Sequence, residues 1–490
     1  MHALPLSQSL APDAALSHLT RKWDEDILDC LKRYIEVPAK SPMFERDWET
    51  LGFIDRVVTD AADWVRAQQI RGLQLEIVRL PGRTPVLFFE VAASGHASQQ
   101  TVLVYGHLDK QPEFSGWRSD LAPWTPKYEN GKLYGRGGAD DGYAVYASVA
   151  AIQELQRQNV AHPRIVGLIE TSEESGSVDL LPYIEALRPR IGDVALVVCL
   201  DSGAGNYDQL WLTTSLRGNI TGTLKVEILT EGVHSGEASG LVPSSFRIMR
   251  EVLDRLEDSR SGRLLPEIFH CAIPPERIAQ ARATAAILGN DSQTRFPWVH
   301  YDCGGTTQWA LPTTQDPVEA LLRRTWRPTL SVTGAEGLPP LDSAGNVLRP
   351  YTAFKLSIRT PPLVDVAACV AQMKRLLEDN APYQARVTFE DVQGADGWNA
   401  PAMDDWFRSA VQQASQTYFG ADCGYIGQGG TIPLMGLLSQ GFPAAQMMVC
   451  GVLGPKSNAH GPNEFLHVPY AKRLTAAVAH VIASMPAGQA

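Results

Sequence analysis

Short and almost continuous apolar runs alternate with helical patterns through the first 200 residues of the chain. The apolar runs lie at 102–105, 165–169 and 194–200. The helical patterns lie at about 19–35, 50–69 and 142–158, and we expect the residues before about 20 to form a loose arm. Apolar runs separated by helices are typical of a sheet that is covered on both faces. The pattern therefore predicts an α/β domain with a mixed, largely parallel sheet between helices.

A second kind of pattern begins near residue 213. Residues 220–229 alternate apolar and polar positions, as a half-buried strand does, and an amphipathic helix follows at 244–258. We expect an irregular stretch at about 262–348. A strand, a helix and a strand are then predicted at 352–360, 366–380 and 385–392. This is the split βαβ order of ferredoxin-like modules, interrupted by a large insertion.

The first kind of pattern returns near Trp398 and ends in a helix at about 469–485. A chain of 490 residues is also too long for one ordinary core. We therefore predict two domains. One is an α/β domain formed by 1–212 and 398–490, and the other is a ferredoxin-like α+β domain, 213–397, inserted into it.

Composition narrows the classes of function. Hydrophobic residues make up 44% of the chain and charged residues 20%, which are values of a globular protein. The net charge of −11 argues against nucleic acid or an anionic membrane as a partner. The seven cysteines are dispersed without a CxxC pair, as reduced thiols are, and no stretch has the pattern of a signal peptide or membrane span. We therefore expect a cytoplasmic protein.

The segment TVLVYGHLDK, residues 101–110, combines a buried strand with reactive side chains at its end. His107 and Asp109 would point the same way on an extended backbone, because alternate side chains share a face of a strand. A histidine and a carboxylate in this arrangement indicate a metal ligand and an acid that orients it.

Further acids follow the other predicted buried strands. Glu173 and Glu174 come after the apolar run that ends at Ile169, and Asp201 comes after the run that ends at Leu200. Ligands bind such sheets beyond the carboxyl ends of the strands. We therefore expect these acids to converge with the histidine at the end of the first strand.

A Gly-rich turn and a C-terminal loop add two more donors. Asp140 follows the turn YGRGG, and His460 lies in the loop NAHGPNE. The turn is unsuited to phosphate, because it lacks a GK(S/T) signature and the acids after it would repel an anion. Mixed nitrogen and oxygen donors suit zinc, and also manganese or cobalt. Two ions need few ligands if a carboxylate bridges them, and the candidates are His107, Asp140, Glu174, Asp201 and His460.

Glu173 adjoins a candidate ligand and is a candidate general base for a water that a metal activates. Taken singly, these residues also have ordinary structural explanations. An acidic pair is usually a solvated surface, an Asp before a helix is usually an N-cap, and a loop histidine is usually exposed. Their conjunction at successive strand ends favours the metal site.

The motifs GHLD, YGRGGADD, ETSEESGS, LDSG and NAHGPNE, in this order, resemble those of the M20 metallopeptidases, the carnosinase-like and aminoacylase-like dinuclear zinc peptidases. The resemblance covers nearly the whole chain. It implies two divalent ions per chain, zinc by preference. One is held by His107, Asp140 and Asp201. The other is held by Asp140, Glu174 and His460, so that Asp140 is the bridge and His460 also borders the substrate.

The same resemblance assigns the residues around the ions. It implies that Asp109 orients His107, that Glu173 is the general base, and that the peptide bond Asp140–Asp141 is cis.

Three more segments and one asparagine resemble the substrate-binding parts of the family. EGVHSG implies that His234, in a lid domain, reaches the active site of the partner subunit and stabilises the developing oxyanion. FKLSIRTPP implies that Arg359 binds the substrate carboxylate in a bidentate way. The turn GGTIP places Gly430 and Thr431 at the same end of the substrate, and Asn346 corresponds to a residue near the scissile carbonyl.

The resemblance therefore implies a homodimer, joined through the lid domain, that hydrolyses the amide bond of a dipeptide with a free carboxylate. The length of the chain and its large insertion look more like the dipeptidase branch than the shorter deacylases. Two alternatives stay open: an N-acyl amino acid deacylase that uses the same site, and a non-catalytic binding protein of the same fold. The complete ligand set with Glu173 argues against the second alternative.

Overall fold

The computed structural model of the chain describes residues 9–95, 100–290, 295–430 and 433–486. The chain divides into two compact units. The first unit comprises Met1–Thr213, Ala400–Ile426 and Leu437–Ala490, and the second comprises Thr214–Asn399 and Gly427–Gly436. The stretch Gly427–Gly436 thus belongs to the inserted unit, whereas the division made on the sequence gave it to the first.

Six strands form the central sheet of the first unit, in the order Leu73–Val78, Val86–Val91, Arg164–Glu170, Thr101–His107, Val194–Cys199 and Gln446–Val449. The last four strands are parallel to one another, and the first two pair antiparallel with their neighbours. Every residue of Thr101–His107 is buried, as expected of a sheet covered on both faces. The predicted α/β fold with a mixed, largely parallel sheet is therefore confirmed.

The main helices of the first unit are Pro12–Lys22, Leu28–Ile35, Phe53–Ala67, Tyr143–Arg157, Leu180–Ile191, Asp405–Phe419 and Val468–Ala483. Tyr143–Arg157 is buried over most of its length and packs against both Thr101–His107 and Val468–Ala483. It follows the Gly-rich turn, so the turn leads into a helix that is fixed in the core.

The expectation of a loose arm up to about residue 20 was wrong from Pro12 onward. A helix begins at Pro12, whose fixed φ suits a first helical turn. Ala15 and Leu19 lie one turn apart on the same face and are fully buried. The apolar face of this segment is short, which is why it was not recognised in the sequence.

A four-stranded antiparallel sheet forms the core of the second unit, in the order Thr329–Glu336, Tyr351–Thr360, Gly218–Glu227 and Arg386–Ala395. The helices Ser245–Leu253 and Val366–Glu378 pack against it, and alternate residues of Gly218–Glu227 are buried in the shared core. This strand order with two helices is ferredoxin-like, so the predicted fold class of the inserted domain is also confirmed.

The stretch at 262–348 is not irregular, as had been expected from the sequence. It contains the helices Pro275–Leu288 and Pro317–Thr325 and the edge strand Thr329–Glu336. Most side chains of the edge strand are exposed, and the first helix has few buried positions. The helix therefore lacks the apolar periodicity on which a prediction from sequence depends, and the strand alternates only over its first five residues.

A small antiparallel sheet connects distant parts of the first unit. It pairs Phe465–His467 with Lys132–Tyr134, and the latter with Lys127–Glu129. The pairing carries the C-terminal loop to the Gly-rich turn that follows Tyr134. Among the described residues, no helix is long and apolar enough to cross a membrane, and all seven cysteines are unpaired.

Candidate metal centre

Two groups of side chains meet beyond the carboxyl ends of the parallel strands in the first unit. One group is His107, Asp140 and Asp201, and the other is Asp140, Glu174 and His460. Within each group, the atoms that could bind a metal lie within 4.8 Å of one another. The structure thus brings the five candidate ligands together, with Asp140 common to both groups.

The imidazole of His107 is fully buried at the end of Thr101–His107. Its Nε2 lies 3.4 Å from Oδ1 of Asp140 and 3.9 Å from Oδ2 of Asp201. Among the described residues, this nitrogen has no hydrogen-bond partner. A buried nitrogen in such surroundings is costly unless a ligand satisfies it, so the donor set fits a divalent cation.

The tautomer of His107 also suits a metal ligand. Its Nδ1 lies 3.1 Å from the backbone carbonyl oxygen of Asp109, which can only accept a hydrogen bond. A neutral imidazole therefore carries its proton on Nδ1, and the lone pair of Nε2 faces the acids. The carboxylate of Asp109 is slightly further from Nδ1, at 3.5 Å.

The carboxylate of Asp140 faces two different histidines. Oδ1 is the oxygen near His107, and Oδ2 lies 3.0 Å from Nε2 of His460. A carboxylate with its two oxygens turned to separate donors has the arrangement required of a bridge between two cations. The peptide bond Asp140–Asp141 is cis, as the family resemblance implied.

Glu174 and His460 form the outer part of the second group. Nε2 of His460 lies 3.3 Å from Oε2 of Glu174, and the side-chain amide of Gln111 donates to the same oxygen over 2.7 Å. The His460 side chain is 54% exposed, and its residue has φ +64°, a conformation that L-residues rarely adopt. The centre is therefore buried at His107 and open at His460. Gln111 was not identified from the sequence.

The carboxylate of Asp109 holds the acidic pair in place. Its Oδ1 accepts a hydrogen bond from the backbone N–H of Glu173 over 3.1 Å, and its Oδ2 accepts one from that of Glu174 over 3.0 Å. Asp109 is fully buried. Its carboxylate thus fixes the backbone of two acids besides lying close to the histidine.

The carboxyl group of Glu173 lies beside the two groups without belonging to either. Its Oε2 is 3.9 Å from Nε2 of His107, and its side chain is 13% exposed. Burial raises the pKa of Glu173 to about 7. A carboxyl with such a pKa can take up and release a proton near neutral pH.

Gly106 makes room for a further acid beneath the centre. A side chain at this position would place a Cβ 2.9 Å from Oδ2 of Asp141 and 2.7 Å from Cβ of Ala144. Without it, Asp141 approaches the strand and accepts a hydrogen bond from the backbone N–H of His107 over 3.3 Å. The glycine of the GHLD motif is therefore a requirement of packing.

Glu170 is a second buried acid near the centre. It accepts hydrogen bonds from the hydroxyl groups of Tyr105, Ser177 and Ser172 over 2.8, 2.9 and 3.0 Å. Burial raises the pKa of Glu170 to about 8. It is a structural group whose two carboxyl oxygens are satisfied by these hydroxyl groups.

The second unit contains the candidate substrate residues His234 and Asn346. The strand Val233–His234 pairs with Val347–Leu348, and the carbonyl oxygen of Asn346 accepts a hydrogen bond from the N–H of Ser235 over 2.9 Å. The structure therefore places these two candidates side by side. Both are exposed.

Arg359 lies in the same unit, half-buried near the end of the strand Tyr351–Thr360. In the sheet it is opposite Thr329, whose Oγ1 lies 3.3 Å from Nη1 of Arg217. Nε of Arg217 also donates to the carbonyl oxygen of Gly429 over 3.3 Å. Arg217, which was not identified from the sequence, therefore ties this glycine turn to the strand next to Arg359. Gly430 follows in the turn and is exposed, and Thr431 lies outside the described residues.

The chain is similar to a known peptidase family, to dipeptidase sequences and to a solved dipeptidase structure. Residues 103–484 match the profile of Peptidase family M20/M25/M40. The chain is 26% identical over 434 residues to the cysteinylglycine-S-conjugate dipeptidase of Corynebacterium striatum, covering 84% of this chain and 88% of that protein. It is 26% identical over 431 residues to human Beta-Ala-His dipeptidase, covering 84% and 80%. The crystal structure of human carnosine dipeptidase 1 has a similar fold, with a TM-score of 0.76 and 24% identity over 96% of this chain and 99% of that one.

Proposed function

Since the chain belongs to peptidase family M20/M25/M40 and is therefore a hydrolase, we propose that it hydrolyses dipeptides that carry a free carboxylate. The observation that carries the proposal is the pair of ligand groups that share Asp140, with the carboxyl of Glu173 beside them. The relatives named above are dipeptidases of the same family, which supports the choice of substrate class.

The proposed cofactor is a pair of divalent ions, with zinc preferred and manganese or cobalt as alternatives. His107, Asp140 and Asp201 would hold one ion, and Asp140, Glu174 and His460 would hold the other. When bound, such ions lower the pKa of a coordinated water to about 7 and polarise a carbonyl oxygen. The unpartnered Nε2 of His107 supports this assignment.

The residues of the chain supply the proton transfer. Glu173 takes a proton from the attacking water and delivers it to the leaving amine, a role that its raised pKa supports. Asp109 keeps Glu173 in place through the backbone hydrogen bond and keeps His107 in the tautomer that exposes Nε2. His460 borders the substrate on the exposed side of the centre.

The second unit supplies the groups that bind the substrate. Arg359 would pair with the free carboxylate in a bidentate way, with Gly430 and Thr431 at the same end. His234 would donate a hydrogen bond to the oxyanion, with Asn346 next to it, and would do so for the partner subunit of a homodimer. These roles rest on the motifs EGVHSG, FKLSIRTPP and GGTIP. We propose a cytoplasmic homodimer, in agreement with the unpaired cysteines.

A comparison of substrates tests the proposal. The zinc- and manganese-loaded proteins would be assayed with dipeptides and with their N-acetylated forms, with Glu173→Gln as the control for contaminating activity. We expect faster hydrolysis of the dipeptides. Faster hydrolysis of the acetylated forms would identify a deacylase, and hydrolysis of neither form by a protein that binds metal would contradict the proposal.

A further inference from the structure

Arg136 and Glu464 form an ion pair in the first unit that is almost completely buried, with both side chains 1% exposed. The two residues are 328 positions apart in the chain. Neither belongs to the two groups of candidate ligands. A buried pair of charges requires an explanation, because desolvation of the ions often outweighs their attraction.

The other hydrogen bonds of the pair all go to the backbone. Arg136 donates from Nη2 to the carbonyl oxygen of Gly461 over 2.8 Å and from Nε to that of Pro112 over 3.1 Å. Glu464 accepts at Oε1 from the N–H of Gly137 over 2.9 Å. The pair thus joins three loops that are distant in sequence.

Two of these loops carry a candidate ligand, and the third follows the strand that ends at His107. Pro112 lies in the segment that follows His107, Gly137 is three residues before Asp140, and Gly461 is next to His460. We infer that Arg136 and Glu464 are positioning residues. They hold the carboxylate of Asp140 and the imidazole of His460 where both can bind the same metal ion. This inference rests on the metal site of the proposed function.

The backbone of the His460 loop shows why such support is required. Lys456, Asn458, His460 and Asn463 all have φ between +56° and +66°, a region that residues other than glycine adopt uncommonly and that Asn and His tolerate best. Strained conformations of this kind persist only where surrounding contacts determine them. The bond from Arg136 to the carbonyl oxygen of Gly461 is such a contact.

The Gly-rich turn is fixed from two sides. Gly137 has φ +82°, and a Cβ at this position would lie 2.8 Å from the buried side chain of Lys110. Its N–H is bound by Glu464, and Lys110 itself donates to the carbonyl oxygens of Tyr34 and Val37 over 2.6 and 2.7 Å. The position of Asp140 therefore depends on Glu464 on one side of the turn and on a rigid support on the other.

Two conservative variants separate positioning from general stability. Glu464→Gln keeps an oxygen for Gly137 but loses the charge that binds Arg136. Arg136→Lys keeps a charge but loses the fork that reaches Gly461 and Pro112 together. Outer-shell substitutions typically cost about 10–100-fold in metal affinity, and we expect this loss mainly at the ion held by Asp140, Glu174 and His460.

The matched control is Glu90→Gln. Glu90 pairs with Arg164 over 2.8 Å in the same unit, between neighbouring strands of the central sheet and away from the three loops. Metal-free proteins would be titrated with Co²⁺, followed by visible absorption and chelator competition, and their melting temperatures would be measured without metal. We expect the control to bind two Co²⁺ as the wild type does.

The inference is wrong if Glu464→Gln and Arg136→Lys lower the metal-free melting temperature but bind both Co²⁺ ions with wild-type affinity. If the Glu464→Gln variant does not fold, the Co²⁺ affinity of Arg136→Lys alone tests the inference. A wild-type chain that binds no Co²⁺ overturns the inference together with the metal site. A wild type that binds metal without hydrolysing dipeptides overturns only the proposed function, because the titration contains no substrate.

Discussion

The backbone N–H of Gly236 donates a hydrogen bond to Nδ1 of His234 over 3.1 Å. A neutral imidazole that accepts at Nδ1 carries its proton on Nε2, so the outer nitrogen of the exposed ring is a donor. The two residues before it, Gly232 and Val233, have no polar side-chain group that could support the ring. The main chain at Gly236 provides a support that the sequence motif did not reveal.

If this donor stabilises the oxyanion, His234→Ala should lower turnover by about 10²–10³-fold. Metal content should stay at two ions per chain, because the ligands lie in the other unit. Steady-state kinetics measure the turnover, and elemental analysis measures the metal content. Turnover within threefold of the wild type would remove His234 from the mechanism.

The proposed action on the partner subunit can be tested with mixed dimers. In a dimer of one His234→Ala chain and one Glu173→Gln chain, one site has both defects and the other has neither. Activity should therefore recover well above that of either parent after subunits exchange. If labelled chains show exchange and no activity returns, His234 does not act on the partner subunit.

Glu173→Gln should retain both metals and lose most of the turnover. General base catalysis contributes about 10²–10⁴-fold, and the substitution removes the proton acceptor without touching a candidate ligand. Metal analysis measures the number of ions retained, and single-turnover kinetics measure the loss of the hydrolysis rate. Near-normal activity at full metal content would contradict the role of Glu173.

Asp140→Ala should lose metal at both positions, whereas Asp201→Ala should lose one ion. The difference follows from the two oxygens of Asp140, which face separate histidines, while Asp201 belongs to one group. Elemental analysis after dialysis gives the stoichiometry. Two ions retained in Asp140→Ala, or equal losses in both variants, would argue against a bridge.

Arg359→Ala should raise KM for dipeptides more than it lowers kcat, because it removes a partner of the substrate carboxylate that is present in both the ground state and the transition state. A dipeptide amide, which has no carboxylate, should be a poor substrate of the wild type and should not become poorer with the variant. An equal loss for both substrates would show that Arg359 acts through folding.

Glu170 should make the metal-free protein less stable as pH rises. Its pKa is raised to about 8 from an ordinary value of 4.5, so it is protonated in the folded state while the unfolded chain is already ionised. Its contribution to stability is complete below pH 4.5 and is lost progressively up to about pH 8. Glu170→Gln resembles the protonated form, and its melting temperature relative to the wild type should therefore be higher near pH 8 than near pH 4.5. A difference independent of pH would refute the assignment.

The sequence was informative wherever burial imposes a repeating pattern of apolar and polar positions. Apolar runs predicted the parallel strands, and the alternation of side chains on an extended backbone predicted that His107 and Asp109 are close together. Strand order then brought Asp201 to the same edge of the sheet, since parallel strands present their carboxyl ends together. These inferences needed only local patterns and one topological rule.

Other features have no local pattern. Arg136 and Glu464 lie in loops, and nothing in either loop indicates its partner 328 residues away. The edge strand Thr329–Glu336 alternates apolar and polar side chains only over its first five residues and is mostly exposed, so its pattern is too short to stand out. The support of His234 by Gly236 is a bond of the main chain, which is present in every sequence. Charged contacts in the core, exposed edges and backbone bonds become visible only in three dimensions.

The insertion of the second unit after Thr213 delays completion of the central sheet during protein synthesis. The strand Gln446–Val449, which covers the outer side of Val194–Cys199, leaves the ribosome more than 240 residues later. Until then Val194–Cys199 is an unpaired apolar edge, which is a template for aggregation. A nascent chain that has passed residue 200 should therefore bind chaperones until about residue 446 has emerged, and a chain truncated before that strand should aggregate.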